Sequence, residues 1–194
     1  MATALLFSCG LSGCEIHQAS PVLYWGGVPR AKDLPQLKAM GIKSIVNLRT
    51  NSLPKKSEIA HQLGLKVFHI KTGVFLTPEA PEIKQFLEIL CNPENQPVFV
   101  CCTLGTDRTG YYLAVYRMAV EGWTIEQAYA EMNQHGLKHW WPTFTQYDDS
   151  LRSNEAFIRS FASKLACSSC LESRPQAQLS PAALGESIED PRAH

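Results

Sequence analysis

The chain has 194 residues, 45% of them hydrophobic and 19% charged, and its 18 basic side chains are balanced by 18 acidic ones. That is the length of one domain with enough apolar content for a genuine core, so full disorder is excluded. A neutral balance supplies no basic field to hold a phosphate backbone, so nucleic acid is not an expected partner, and no apolar run reaches the roughly 18 residues a membrane-spanning helix needs.

In chain order, residues 1–20 are read as an N-terminal tail or a lipoprotein-type signal. Met1 to Gly13 is short, apolar and rich in small residues, and Leu11-Ser12-Gly13-Cys14 resembles a bacterial lipobox, although no Lys or Arg precedes the apolar stretch. The two readings place the protein differently. A real signal implies a periplasmic or lipid-anchored protein, with Cys14 as the one contact to a membrane; a plain tail implies a cytoplasmic one. A single acyl chain would give only marginal membrane binding.

Residues 21–166 alternate between strand and helix signals. Val22-Leu23-Tyr24-Trp25 reads as a strand closed by a turn at Gly26-Gly27 and Pro29. Leu34, Leu37 and Met40 sit at helical spacing before Gly41, and Ile42 to Leu48 reads as a buried strand. A short helix over Glu58 to Leu63 ends at Gly64, and Leu65 to Ile70 is another strand. After the loop Lys71 to Ala80, Ile83, Phe86, Leu87 and Leu90 make an amphipathic stripe. Val98-Phe99-Val100 has the continuous apolar character of a central strand covered on both faces. Tyr112, Val115, Tyr116 and Ala119 then mark a helix ended by Gly122. A capping box at Thr124 and Gln127 opens the next, with Ile125, Ala128, Tyr129 and Met132 on one face. Ile158, Phe161, Ala162 and Leu165 repeat the stripe in a last helix. The expected fold is α/β, a central four- to five-stranded sheet flanked by helices. Residues 167–194, with three prolines and no aromatic residue, are expected to be a disordered tail.

There are seven cysteines, an odd count that leaves at least one thiol free. Cys167 and Cys170 have C-x-x-C spacing but no second ligand pair nearby, so they are read as incidental. The informative cysteine follows the Val98 strand, in Cys102-Thr103-Leu104-Gly105-Thr106-Asp107-Arg108-Thr109-Gly110. The pattern C-x2-G-x2-R-T-G arises by chance at a given start with a probability on the order of 10⁻⁷. A short loop between a buried strand and a helix aims successive amides inward and adds the positive end of the helix dipole, which together hold an anion. Gly105 permits backbone angles that a side chain would obstruct. Arg108 can grip two phosphate oxygens with its fork, which Lys cannot match. Cys102 falls at the floor of such a cradle, where the same amides should favour its thiolate. A thiolate under a phosphate is a nucleophile in line with phosphorus, giving a phosphocysteine that water hydrolyses. Thr109 could donate a hydrogen bond to the departing sulfur. The chemistry needs no metal and no cofactor.

The C-x5-R-T-G loop after a hydrophobic strand resembles that of the cysteine-dependent protein tyrosine phosphatases. Leu23 to Pro29, Gly41 to Arg49, Gln96 to Val100 and Tyr116 to Trp123 are similar to the bacterial dual-specificity type, the small periplasmic tyrosine phosphatases of Gram-negative bacteria above all. The similarity covers roughly Pro21 to Tyr147. It implies that Cys102 is the nucleophile, that Arg108 binds phosphate, and that the amides of Thr103 to Arg108 line the site. It further implies a compact, monomeric phosphomonoester hydrolase for phosphotyrosine in protein substrates, with phosphoserine and phosphothreonine as further substrates.

Two positions depart from the family. The residue before the nucleophile is Cys101, where the family usually has His, and a vicinal thiol raises the idea of a resolving partner for an oxidised Cys102. The loop Lys71 to Glu82 lacks the family's Asp general acid, which leaves Asp107, Glu79 and Glu82 as candidates, the glutamates serving equally as first-turn helix partners. Arg49 is open between bracing the site and a surface ion pair, and His135, His139, Trp140 and Trp141 between a substrate rim and packing. Two other functions stay in view: a phosphoinositide or inositol phosphate phosphatase, against which Thr103, Leu104 and Thr106 supply no Lys, and a catalytically weak phosphate-binding pseudophosphatase.

Overall fold

The strand β5 (Val98–Cys102) is buried at every position, and a strand of that kind needs cover on both faces. The computed structural model, which describes residues 15–51, 54–73, 77–134 and 144–165, puts it at the centre of a five-stranded sheet. Its partners are β1 (Ile16–Ser20), β2 (Leu23–Gly27), β3 (Ser44–Asn47) and β4 (Lys66–His69), in the order β1-β2-β5-β3-β4. β2, β5, β3 and β4 are parallel, and β1 is antiparallel to β2.

Alternation along β5 divides the core in two. Val98, Val100 and Cys102 join the larger cluster, with Phe86 and Leu87 of α3 (Ala80–Cys91), the helix α4 (Asp107–Tyr116), and Ile125, Ala128 and Met132 of α5 (Ile125–Gln134). Tyr147 and Leu151 of α6 (Phe144–Ser153) and Ile158 and Phe161 of α7 (Glu155–Leu165) close this layer. Phe99 and Cys101 point the other way, to Leu34 and Leu37 of α1 (Leu34–Ala39) and Ala60 of α2 (Pro54–Gln62). The period of two in a strand produces both layers from one run of residues.

The expected helices and strands are present, as is the α/β class. The capping box forms, with Thr124 N–H donating to Gln127 and Gln127 N–H donating to Thr124 Oγ1. Three differences have physical causes. The segment expected as a tail ends in a strand: Ile16 to Ser20 form β1, an edge strand with only its two end residues buried, so it lacks the apolar alternation that announces a strand. The stack of His17 on Trp25, centroids 4.1 Å apart, ties it to β2. Gly26-Gly27, read as a turn, are the last two residues of β2 and pair with Cys101 and Cys102. α4, marked in the sequence by Tyr112, Val115, Tyr116 and Ala119, is buried all round from Arg108 to Tyr116, and its continuation over Arg117–Glu121 widens into a π turn before Gly122 at φ +75°. Residues 1–14 and 166–194, with the expected signal or tail and the C-terminal tail, and His135, His139, Trp140 and Trp141 lie outside the described residues.

Arg117 ties the far end of this layer together. It donates to Glu121 at 2.8 Å, to Glu131 of α5 at 2.6 Å and to the Ala19 carbonyl of β1 at 3.3 Å, and it lies over the Trp123 ring. Its removal leaves two carboxylates enclosed without a cation. Arg117→Ala should therefore lower unfolding stability by about 3–5 kcal/mol in urea denaturation, more than an exposed ion pair such as Lys84–Glu88 is worth.

Candidate active site

The loop from β5 to α4 is shaped by its fit against β2. Gly105 sits at φ +85°, and a Cβ there would lie 2.4 Å from the Gly26 carbonyl carbon and 2.6 Å from the Gly27 nitrogen. Gly27 in turn faces the Leu104 carbonyl oxygen, 3.4 Å from where its own Cβ would stand. Only glycine meets both demands, a left-handed backbone and contact with a neighbouring main chain. So held, Gly105 N–H points back along the loop and donates to Cys102 Sγ at 3.2 Å. Cys102 is 2% exposed, at the end of the central strand and on the α4 side of the sheet.

Arg108, in the first turn of α4, folds back over the loop. Its Nη1 donates to the carbonyls of Leu48 at 3.4 Å and Thr72 at 3.3 Å, and its Nη2 donates to Thr103 Oγ1 at 3.0 Å. A guanidinium has five N–H donors. Among the described residues these bonds leave Nε–H and one Nη2–H without a partner, with the plane of the fork fixed from behind.

The remaining sequence-predicted residues separate. Thr103 is exposed at the rim, its hydroxyl on Arg108. Leu104 is 60% exposed, the large apolar side chain most open to solvent among the described residues. Thr106 occupies the N-cap position of α4 without a side-chain capping bond, and Asp107 opens the helix; among the described residues the Thr106 hydroxyl and Asp107 Oδ1 are buried with no hydrogen-bond partner. The Thr109 hydroxyl is also buried, with no hydrogen-bond partner among the described residues; the bond expected from the sequence is to a sulfur departing in the second step. Glu79 and Glu82 engage each other across the first turn of α3: Glu79 N–H donates to Glu82 Oε2 at 3.2 Å and the Glu79 side chain accepts in return.

Cys101 is adjacent to Cys102 in sequence but faces the opposite side of the sheet, among Ile45, Leu34 and Ala60. It lines a cavity of about 30 Å³, room for one water at most. The two thiols therefore project from opposite faces of one strand, which sets aside the resolving-thiol idea. Arg49 has its backbone fixed at both ends, its N–H on Asn47 Oδ1 and its carbonyl accepting from His69 Nε2.

Sequence reasoning missed the supporting shell. Tyr112 of α4 holds Thr72, an acceptor of Arg108, and Tyr111 packs between the Tyr112 and Tyr147 rings. Tyr111 OH meets Ser150 Oγ at 2.9 Å, which donates to the Pro78 carbonyl at 3.0 Å, while Tyr112 OH meets Thr72 Oγ1 at 3.1 Å. Burial pushes the Tyr111 hydroxyl up to about 12, against the lowering effect of its bond to Ser150, and drives those of Tyr112 and Tyr147 upward as well. Near neutral pH all three are uncharged phenols. For Tyr147 the effect of burial is reinforced by Asp107 and opposed by Arg108.

A strand, a glycine-turned loop, a buried cysteine and a clamped arginine also define a family at the level of sequence. A model of the tyrosine phosphatase family matches residues 14–173. The chain belongs to the tyrosine phosphatase family. It is 28% identical over 147 residues to the dual specificity protein phosphatase TpbA of Pseudomonas aeruginosa PAO1, a match covering 75% of this chain and 62% of the relative, so the chain spans less than two thirds of that protein's length. The fold superposes on a cysteine-to-serine variant of P. aeruginosa TpbA in complex with pTyr with a TM-score of 0.64 at 20% identity, covering 80% of this chain and 99% of the other. It superposes on the catalytic domain of the PP-IP phosphatase Siw14 from S. cerevisiae, in complex with citrate, with a TM-score of 0.66 at 22% identity, covering 82% and 95%.

Because the Gly105 site has no volume for a methyl group, Gly105→Ala must displace the loop. The expected outcome is a more than tenfold rise in the Kd for inorganic phosphate by calorimetry and destabilisation of about 1–3 kcal/mol, whereas the exposed Leu104→Ala should leave stability nearly unchanged.

Proposed function

We propose that the protein is a phosphomonoester hydrolase that dephosphorylates phosphotyrosine, with phosphoserine and phosphothreonine as secondary substrates, through a phosphocysteine intermediate. The observation that carries this reading is the placement of Cys102 at the floor of a loop whose Arg108 is clamped from behind with part of its fork unengaged. Cys102 Sγ attacks phosphorus, and the S–P bond forms as the P–O bond to the phenol breaks. Arg108 and the loop amides of Thr103 to Arg108 take the charge on the equatorial oxygens. The leaving oxygen receives a proton. Water then attacks the phosphocysteine, the S–P bond breaks, and phosphate leaves with the thiolate restored.

Asp107 is the proton donor favoured by the geometry. Glu79 and Glu82 are occupied with each other at the start of α3, whereas Asp107 stands beside Arg108 with one carboxylate oxygen unpartnered. Its proton goes to the phenol oxygen in the first step and is recovered from water in the second.

The substrate class follows from the rim. Thr103, Leu104 and Thr106 bring no cation, and the exposed Leu104 offers an apolar surface suited to an aryl ring. A densely phosphorylated inositol would call for basic side chains there, so that reading ranks second, despite the fold shared with a PP-IP phosphatase. A phosphate-binding module without turnover ranks third, since both Cys102 and Arg108 are present.

Cys102→Ser should reduce hydrolysis of 4-nitrophenyl phosphate to background, and undiminished turnover in that variant would refute the mechanism. Asp107→Asn should slow phosphotyrosine hydrolysis by about 10²–10⁴. It should slow 4-nitrophenyl phosphate much less, because that leaving group is acidic enough to depart unprotonated. Leu104→Lys should shift the preference away from phosphotyrosine peptides and toward inositol polyphosphates, read as the ratio of kcat/KM values.

A further inference from the structure

The fork of Arg108 is aimed by two carbonyls, and one belongs to a residue with an anchor of its own. Thr72 is 3% exposed and follows β4 by three residues, in a stretch outside regular secondary structure. Its N–H reaches the Leu48 carbonyl at 3.4 Å, so the two acceptors of Arg108 Nη1 lie side by side. Nothing in the sheet ladder fixes Thr72 further, yet its hydroxyl is bonded to Tyr112 OH at 3.1 Å. Tyr112 is fully buried in α4, packed edge-on against Phe86 at 4.9 Å and Tyr111 at 5.7 Å. Its ring is therefore held from several sides, and its hydroxyl is a fixed point.

We propose that Tyr112 is a positioning residue for phosphate binding, acting through Thr72 to set the Thr72 carbonyl that orients the Arg108 guanidinium. The path is short: Tyr112 OH to Thr72 Oγ1, Thr72 carbonyl to Arg108 Nη1, and the unengaged edge of Arg108 to the anion. α4 supplies both ends, since Arg108 and Tyr112 are four residues apart on one helix. The helix that carries the arginine thus also carries the residue that aims it. A fork-shaped donor gains its advantage over a point charge only when its plane is fixed, so loosening Thr72 should weaken anion binding without removing any group that touches the anion.

The inference rests on the phosphate-cradle reading, and the test separates the two. The probe is inorganic phosphate, with Kd measured by isothermal titration calorimetry on the full chain beside a thermal melt. Tyr112→Phe and Thr72→Val should each raise Kd about three- to tenfold, the effect of losing one hydrogen bond. The double variant should be no worse than the single ones, because both break one link. Thr72→Ser keeps the hydroxyl and should bind as the native chain does. Tyr111→Phe is the control. It breaks an equally buried phenol bond, to Ser150, in the neighbouring position of α4, but touches no acceptor of Arg108, so it should lower the melting temperature and leave Kd unchanged. Should Tyr112→Phe fail to fold, Thr72→Val decides alone. A Kd within twofold of the native value in the folded variants overturns the proposal, as does an equal rise in Tyr111→Phe, which would mean general loosening of α4. A native chain that binds no phosphate overturns the cradle reading itself, a different result from either.

Discussion

The contact on which the site depends is between main chains. The loop after β5 rests on Gly26 and Gly27 of β2 so closely that Gly105 has no space for a single carbon. From that contact come the left-handed turn at Gly105 and the return of its N–H to Cys102 Sγ. A side chain on either strand of this contact would push the loop outward, and the floor of the cradle would widen before any catalytic residue was altered.

The second constraint is that α4 works as both core and machinery. Its residues from Arg108 to Tyr116 are all buried, which is unusual for a helix beginning at a site that must admit substrate. Burial has a use here. It fixes Tyr112, whose hydroxyl reaches Thr72 beyond β4, so the segment that gives Arg108 one of its acceptors is registered against the helix that carries the arginine. Buried hydroxyls must be paired, and here the pairs are made between elements.

Charge is arranged by the same economy. Arg108 faces carbonyls and a hydroxyl and, among the described residues, makes no ion pair, so no carboxylate neutralises its charge there. Arg117, one element further on, is the opposite case: flanked by Glu121 and Glu131, it is spent on holding β1 and α5 to the core. Two arginines nine residues apart thus differ in what surrounds them, one facing neutral acceptors and the other two carboxylates.

Local signals carried much of this protein in its sequence. The continuous apolar run of β5, the stripe at Ile83, Phe86, Leu87 and Leu90, and the capping box at Thr124 each depend on near neighbours, and so does the C-x5-R spacing that brings Cys102 and Arg108 into one loop. What tertiary structure decided are the contacts between distant segments. β1 is stabilised by pairing with β2 and by the stack of His17 on the Trp25 ring, not by an apolar face of its own. The part played by Gly26-Gly27 exists only because another loop lies against them, and that of Thr72 only because Arg108 and Tyr112 converge on it from α4. Cys101 and Cys102, neighbours in the chain, are parted by the pleat of the strand. Periodicity records which face of an element is apolar; it holds no trace of which polar atoms meet across the fold, because one hydroxyl or one carbonyl can be satisfied by many partners and only the packed chain selects among them.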